Sequence, residues 1–348
     1  MTPLPSRDLA GGEATERRLG LSAFAPALGA ACYPFLLDAF HFLAGPPGFK
    51  PSAPAIAGAT LVLIAAFSVP ALGLALAGRP EIRASLRRLA FASVASPTLY
   101  VFLGVIQTMA RSRLPDELVW CVVWVAGALW AWSAGRGDGG SQAPPEVGRM
   151  RMAHGISAAI IVLFVTFHLA NHLFGLIGPD AHAAVMKLGR TVYRAPVIQP
   201  ILVTLMLFQA ASGLYLAWRW SASSILDFFR TYQIASGFYL GVYIPGHMNS
   251  VFVYARWYQH IQTGWNFAIG APDGLIHGAW SIRLLPHYAL GAFFVLSHLV
   301  TGLRVILLAH GFERRLADRM WIAGVSASAI VSAAIIAGMC GLRLGASW

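Results

Sequence analysis

Charge is scarce in this chain. Only 11% of its 348 residues are Asp, Glu, Lys or Arg, against roughly 25% in soluble domains, which excludes a surface solvated on all sides. Acidic residues are rarer still, 14 against 25 basic ones. Only Asp38 falls well inside an apolar stretch, which argues against the buried carboxylates of an ion-coupled transporter. Cysteine is limited to Cys32, Cys121 and Cys340, in separate apolar segments and without a CxxC pair. That excludes a disulfide framework and cysteine-ligated iron–sulfur clusters, and each thiol reads as a small packing group. No GxGxxG run is framed by a strand and a helix, so no dinucleotide site is signalled.

Hydrophobic residues make up 57% of the chain, and the mean hydropathy is +0.64. Several apolar runs exceed the ~20 residues that cross a bilayer as a helix. The expected fold class is an all-α integral membrane protein with about nine transmembrane helices, over 21–43, 55–77, 89–110, 117–134, 150–177, 195–218, 229–256, 283–309 and 319–342. The first run contains Pro26, Pro34, Asp38 and His41, too long and too polar for a cleavable signal core, so it reads as an uncleaved span. The net charge of +11 does not point to nucleic acid, because the arginines sit mostly in short loops between apolar runs. Fifteen Lys and Arg fall on the side of the N-terminus and nine on the other. The expected location is therefore a bacterial-type inner membrane, with the N-terminus cytoplasmic and the C-terminus outside.

One composition break, GRGDGGSQAPPEVG over Gly135–Gly148, reads as a linker. It divides a four-helix region, 1–134, from a five-helix region, 150–348, with 135–149 between them. The long loop Trp257–Ile282, with Trp265, Trp280, His260 and His277, reads either as a cap over the outer end or as an interfacial aromatic belt.

Five of the eleven histidines lie inside apolar segments of the second region: His168, His172, His247, His287 and His298. An ionisable group in hydrocarbon is expensive and generally functional, and imidazole is a ligand for haem iron and transition metals. At ~1.5 Å rise per residue, His168 and His247 both lie roughly 27 Å from the inner surface. His172 is one turn beyond His168 on the same face. His287 reaches about the depth of His172, and His298 lies roughly 16 Å deeper. Two helices offering one imidazole each at equal depth can ligate a flat haem from opposite faces. His168 or His172 with His247 is the preferred pair, and His172 with His287 is also allowed. A zinc or copper site formed by His168, His172, His247 and His287 is the alternative.

Spans six and seven echo each other, with Gln209, Ser212, Gly213, Tyr215 and Leu216 matched by Gln233, Ser236, Gly237, Tyr239 and Leu240. Ser–Gly pairs either let helices approach closely or leave room for a flat ring. Pro245, two residues before His247, is expected to disturb span seven.

These residues carry a resemblance. The spans from Met150 onward resemble the five-helix cytochrome b membrane-anchor subunit of the succinate dehydrogenase and fumarate reductase family. The opening Arg151, His154 and Ser157 is similar to the start of that family's first helix. His168 or His172, with His247, resembles the ligand pair of its outer haem. His298 resembles one inner ligand, and Gln209 stands where the other would be, which favours one haem b over two. The resemblance implies a C-terminal haem-binding bundle that passes electrons between a quinone pool and iron–sulfur or flavoprotein partner subunits. It also implies membrane lipid as its solvent, no nucleic acid, and a quinone contact at Arg151, His154, Ser157 and Arg304. The rival class is a non-redox transporter or structural subunit of a membrane complex, with histidines that pack or relay protons.

Overall fold

The computed structural model describes residues 20–134, 146–223 and 226–345. The polar N-terminal segment and most of the expected linker lie outside these residues. All regular structure among the described residues is helical. The helices are α1 Ala25–Ala44, α2 Ala53–Ala77, α3 Ala84–Val94, α4 Ser96–Met109, α5 Asp116–Ser133, α6 Gly148–Leu173, α7 Pro179–Tyr193, α8 Ile198–Ser221, α9 Phe228–Met248, α10 Trp265–Ile269, α11 Gly274–His277, α12 Leu284–Ala309 and α13 Arg314–Met339. Several begin where the chain supplies a start signal. Proline stands at the first or second position of α1, α2, α4 and α7, where its missing N–H is no loss. At α9 the Asp227 carboxylate accepts from the Arg230 N–H at 2.7 Å, a side-chain N-cap.

Among the described residues six helices are long and apolar enough to cross a membrane: Ser22–Ala44, Ala53–Ala77, Gly148–Leu176, Ile198–Ser221, Ser281–Ala309 and Arg314–Met339. The chain thus has the character of a multi-pass membrane protein. The other three expected spans take modified forms. The third is a bent pair, α3 and α4, turning by 70° at Ala95. Pro97 has no N–H for the preceding turn, and its ring opposes straight continuation. The fourth, α5, is 18 residues long with Asp116 and Glu117 in its first turn. The seventh, α9, carries Arg230 and Gln233 and runs unbroken through Pro245. Its irregularity comes four residues later, where Asn249–Tyr258 winds as a π-helix.

In the C-terminal region the helices close a ring. α6 packs on α8 and α13, α8 on α9, α9 on α12, and α12 on α13. The N-terminal helices attach to one side of it, with α3 and α4 against α9 and α4 also against α12. Among the polar contacts that join the regions, two are built on buried arginines. Arg283 of the second pairs with Asp116 of the first at 2.6 Å and lies over the Tyr100 ring. A Cβ at position 104 would stand 2.4 Å from an Arg283 nitrogen, so Gly104 makes that approach possible. The guanidinium of Arg87, 1% exposed, donates to the carbonyls of Ala77 and Arg79 at the α2–α3 corner and to that of Ser223 beyond α8. Arg87 thus acts as a structural brace.

Candidate functional site

Two facing pairs of histidines lie inside the ring. In the first, His168 of α6 and His247 of α9 have ring centres 6.1 Å apart. Both border a cavity of about 300 Å³, together with Phe164, Tyr243, Met248 and Tyr288. That volume lies at the low end of cofactor and ligand sites. Phe164 stacks on His168 and Tyr243 on His247, which holds the two imidazoles by their faces, and the His172 ring lies edge-on to His168 at 4.8 Å. A metal sandwiched between two imidazole nitrogens, each ~2.0 Å away, places the ring centres roughly 6 Å apart. The observed spacing fits that arrangement. Polar atoms without partners gather at this end: His172 Nδ1, Asn171 Oδ1, His182 Nδ1 and Trp265 Nε1 are buried and unbonded. Such clusters mark a place where a ligand or water completes the bonding.

The second pair is His154 of α6 and His298 of α12, with ring centres 6.4 Å apart. Here the sequence echo acquires a physical meaning. Ser212 Oγ lies 2.7 Å from His154 Nδ1, and Ser236 Oγ lies 2.9 Å from His298 Nδ1. Each hydroxyl already donates its only hydrogen to a carbonyl one turn back, Phe208 O at 2.6 Å and Tyr232 O at 2.8 Å. Each serine must therefore accept from the imidazole, which places the proton on Nδ1 and leaves Nε2 bare. The glycine after each serine faces the same ring. A Cβ at Gly213 would stand 3.4 Å from His154 Cε1, and one at Gly237 would stand 3.2 Å from His298 Cε1. The repeated Ser–Gly thus orients one imidazole and gives it room, twice.

The other expected residues are distributed differently. His287 is buried against Tyr243 and Tyr288, with ring centres 4.6 and 5.1 Å away. Tyr243 touches both it and His247, and among the described residues the ring contacts of His172 are with His168 and His182, so no contact joins the His172–His287 pair allowed by depth. Among the described residues no three His, Cys, Asp or Glu side chains stand together as a metal-binding group. His172 and His247 both lie beside His168, at 4.8 and 6.1 Å between ring centres, but the four imidazoles of the zinc or copper alternative, His168, His172, His247 and His287, do not form a ready metal-binding group. Arg151 is exposed. Ser157 donates to His154 O and accepts from Gln209. Arg304 is engaged by Asp318 at 2.7 Å and lies over the Phe229 ring at 3.4 Å, which takes it up in packing α12 on α13 rather than leaving it for a quinone.

Reading the chain as spans misses α7. It starts at Gly178–Pro179 and lays His182, Met186, Arg190 and Tyr193 along the cavity. Their i, i+4, i+8, i+11 spacing is the available signal of a helix covering an opening. Gly189 allows the close approach, since a Cβ there would stand 2.2 Å from the Phe167 ring. Burial pushes the His182 imidazole down to about 4, helped by His168 and Arg190. The unfolded chain then binds a proton that the folded one refuses between about pH 6.5 and 4, so this contribution to stability is complete above pH 6.5 and declines below it. Thermal unfolding midpoints in detergent should fall between pH 7 and pH 5, and His182→Gln, which retains a group for Asn171, should flatten that fall. An equally steep fall in the variant would remove His182 as its source.

No family model, no curated protein and no solved structure matches this chain.

Proposed function

We propose that this protein is a membrane b-type cytochrome that passes electrons between a quinone pool and a partner redox subunit. The observation that carries the reading is the pair of facing imidazole couples, each at the spacing of a metal held between two nitrogens. In this reading His168 and His247 hold one haem b, and His154 and His298 hold a second. His154 becomes a ligand rather than a quinone contact, and two haems rather than one follow from its meeting His298. Bound haem supplies a one-electron couple, and the chain tunes it through the nitrogen each histidine offers and the apolar wall around it. Ser212 and Ser236 keep Nε2 of the inner pair unprotonated. Phe164 and Tyr243 hold the outer rings by stacking and exclude water. The 14 residues from His154 to His168 correspond to a rise of about 21 Å, so the two couples lie at different depths of one bilayer.

The topology belongs to the same reading: about nine spans counting α5, the bent pair and α9, in an inner membrane with the N-terminus inside. The quinone headgroup is assigned to the Arg151 end, where Ser157 and Gln209 offer polar atoms beside the inner pair. An iron–sulfur or flavoprotein subunit is the partner class. One feature favours the rival reading, a transporter: the 70° break at Ala95, with the Ser96 and Thr98 hydroxyls buried and unbonded beside it. Absorption spectra of the purified protein, oxidised and dithionite-reduced, with a pyridine haemochrome assay, distinguish the two. The expected result is a sharp reduced α-band and two haems per chain, falling to one in His154→Ala. A well-folded sample without haem leaves the transporter reading.

A further inference from the structure

At the His-rich end the cavity continues into a second, more open hollow of about 460 Å³ around Arg190, Arg194, Arg256 and Thr263. The same four residues line the deep cavity, so the two spaces share a wall. Arg194, the residue that caps α7, lies one turn beyond Arg190, and Arg256 arrives from the π-helical segment Asn249–Tyr258 that follows α9. No acidic side chain borders the hollow, and among the described residues none forms an ion pair with any of the three arginines. Thr263 pins two of them in place: Arg190 Nη2 donates to its carbonyl at 3.1 Å, and Arg194 Nη2 donates to its hydroxyl at 3.3 Å. Arg190 Nε is buried with no partner at all. Three cations gathered without a counter-charge repel one another, and an anion relieves the repulsion.

We propose that Arg190, Arg194 and Arg256 form a carboxylate-binding site at the mouth of the histidine cavity, serving a molecule whose apolar body occupies the cavity. Guanidinium forks match the two oxygens of a carboxylate and bond it more strongly than neutral donors do. The apolar walls below, Phe164, Leu202, Met206 and Val251 among them, demand an apolar body attached to that group. Two sources share this chemistry. One is the pair of propionates on a haem held by His168 and His247, which rests on the function proposed above. The other is a free amphipathic acid entering from the aqueous phase, which does not. Burial, with Arg190 and Arg256 nearby, lowers the proton affinity of Arg194, as expected where like charges converge.

The test uses the purified full chain in detergent, freed of cofactor, titrated with haem b and with its dimethyl ester. Octanoate and octanol are compared separately for thermal stabilisation. Arg190→Gln/Arg194→Gln is the test variant, Arg256→Gln is the second variant should the first not fold, and Lys187→Gln, exposed on the same helix, is the control. If the propionates are the source, the wild type and the control bind haem at least about tenfold tighter than the ester, the loss of one charge-assisted bond, and the arginine variants lose that preference. If a free acid is the source, octanoate but not octanol stabilises the wild type and not the variants, even where no porphyrin binds and the cytochrome reading has failed. Equal binding of haem and ester, with no advantage for octanoate, overturns the carboxylate site while leaving the haem intact. Binding of nothing overturns both.

Discussion

If His168 and His247 hold a haem as proposed, His247→Ala is expected to abolish it while the His154–His298 couple keeps its own. The haem content measured by pyridine haemochrome should drop from two per chain to one, and the reduced spectrum should lose one α-band component. The expectation follows from position. His247 faces His168 across 6.1 Å, borders the cavity, and is stacked on Tyr243. Among the described residues neither imidazole has a hydrogen-bond partner, unlike His154 and His298. A structural histidine in hydrocarbon normally satisfies its nitrogens locally, and these two do not. The substitution removes an aromatic ring from a contact that already borders empty space, so its effect on folding should be small beside its effect on haem. An unchanged spectrum would take His247 out of the ligand set. Loss of both haems together would show that the couples are not independent.

The second large effect concerns the joint between the regions rather than the site. Asp116→Ala leaves the Arg283 guanidinium, whose side chain is 9% exposed, without its counter-charge among Tyr100, Trp280 and Gly104. Breaking one side of a buried pair costs about 3–5 kcal/mol, because the remaining charge is stranded. Arg283→Met, which removes the charge and keeps much of the apolar stem, should cost less, and the double variant should recover most of the loss. Unfolding in detergent by denaturant reads the difference. If Asp116→Ala unfolds with the wild type, the pair adds nothing to the joint and the regions are held by their other contacts. The Arg87 bond to Ser223 O, the His277 Nδ1 contact with Gly45 O at 2.8 Å and the packing of α3 and α4 on α9 would then carry the joint.

Both predictions draw on features that were only partly legible in the chain. That the polypeptide is helical and membrane-spanning follows from composition, because apolar runs of this length have no other way to satisfy their backbone in lipid. The match of His168 to His247 was readable by counting residues along two helices running the same way. Which of His168 and His172 faces His247 was not readable, since one turn separates them and helix rotation decides.

The Ser–Gly echo was visible in the sequence, whereas its role was not. Only the fold brings α8 beside α6 and α9 beside α12, so that Ser212 meets His154 and Ser236 meets His298. His154 therefore read as a quinone contact near a helix start, and His298 as a ligand without a histidine partner. Counting from helix ends assigns depth well and azimuth poorly, and ligand pairing depends on azimuth. The arginine rim was hidden for a related reason. Arg190, Arg194 and Arg256 come from segments 60 residues apart that read as loop and helix end, and charge counting assigned them to topology.

By itself the sequence determined the membrane-spanning character, the helical content, the histidine-bearing region and the position of its imidazoles along their helices, because these depend on local composition and on a fixed rise per residue. The tertiary structure alone decided the pairing of His154 with His298, the separation of His172 from His287, the closure of the cavity by α7, and the union of the two regions through Asp116 and Arg283. Each of these is a contact between segments far apart in the chain, set by how helices rotate and pack against one another, and no local pattern encodes that rotation.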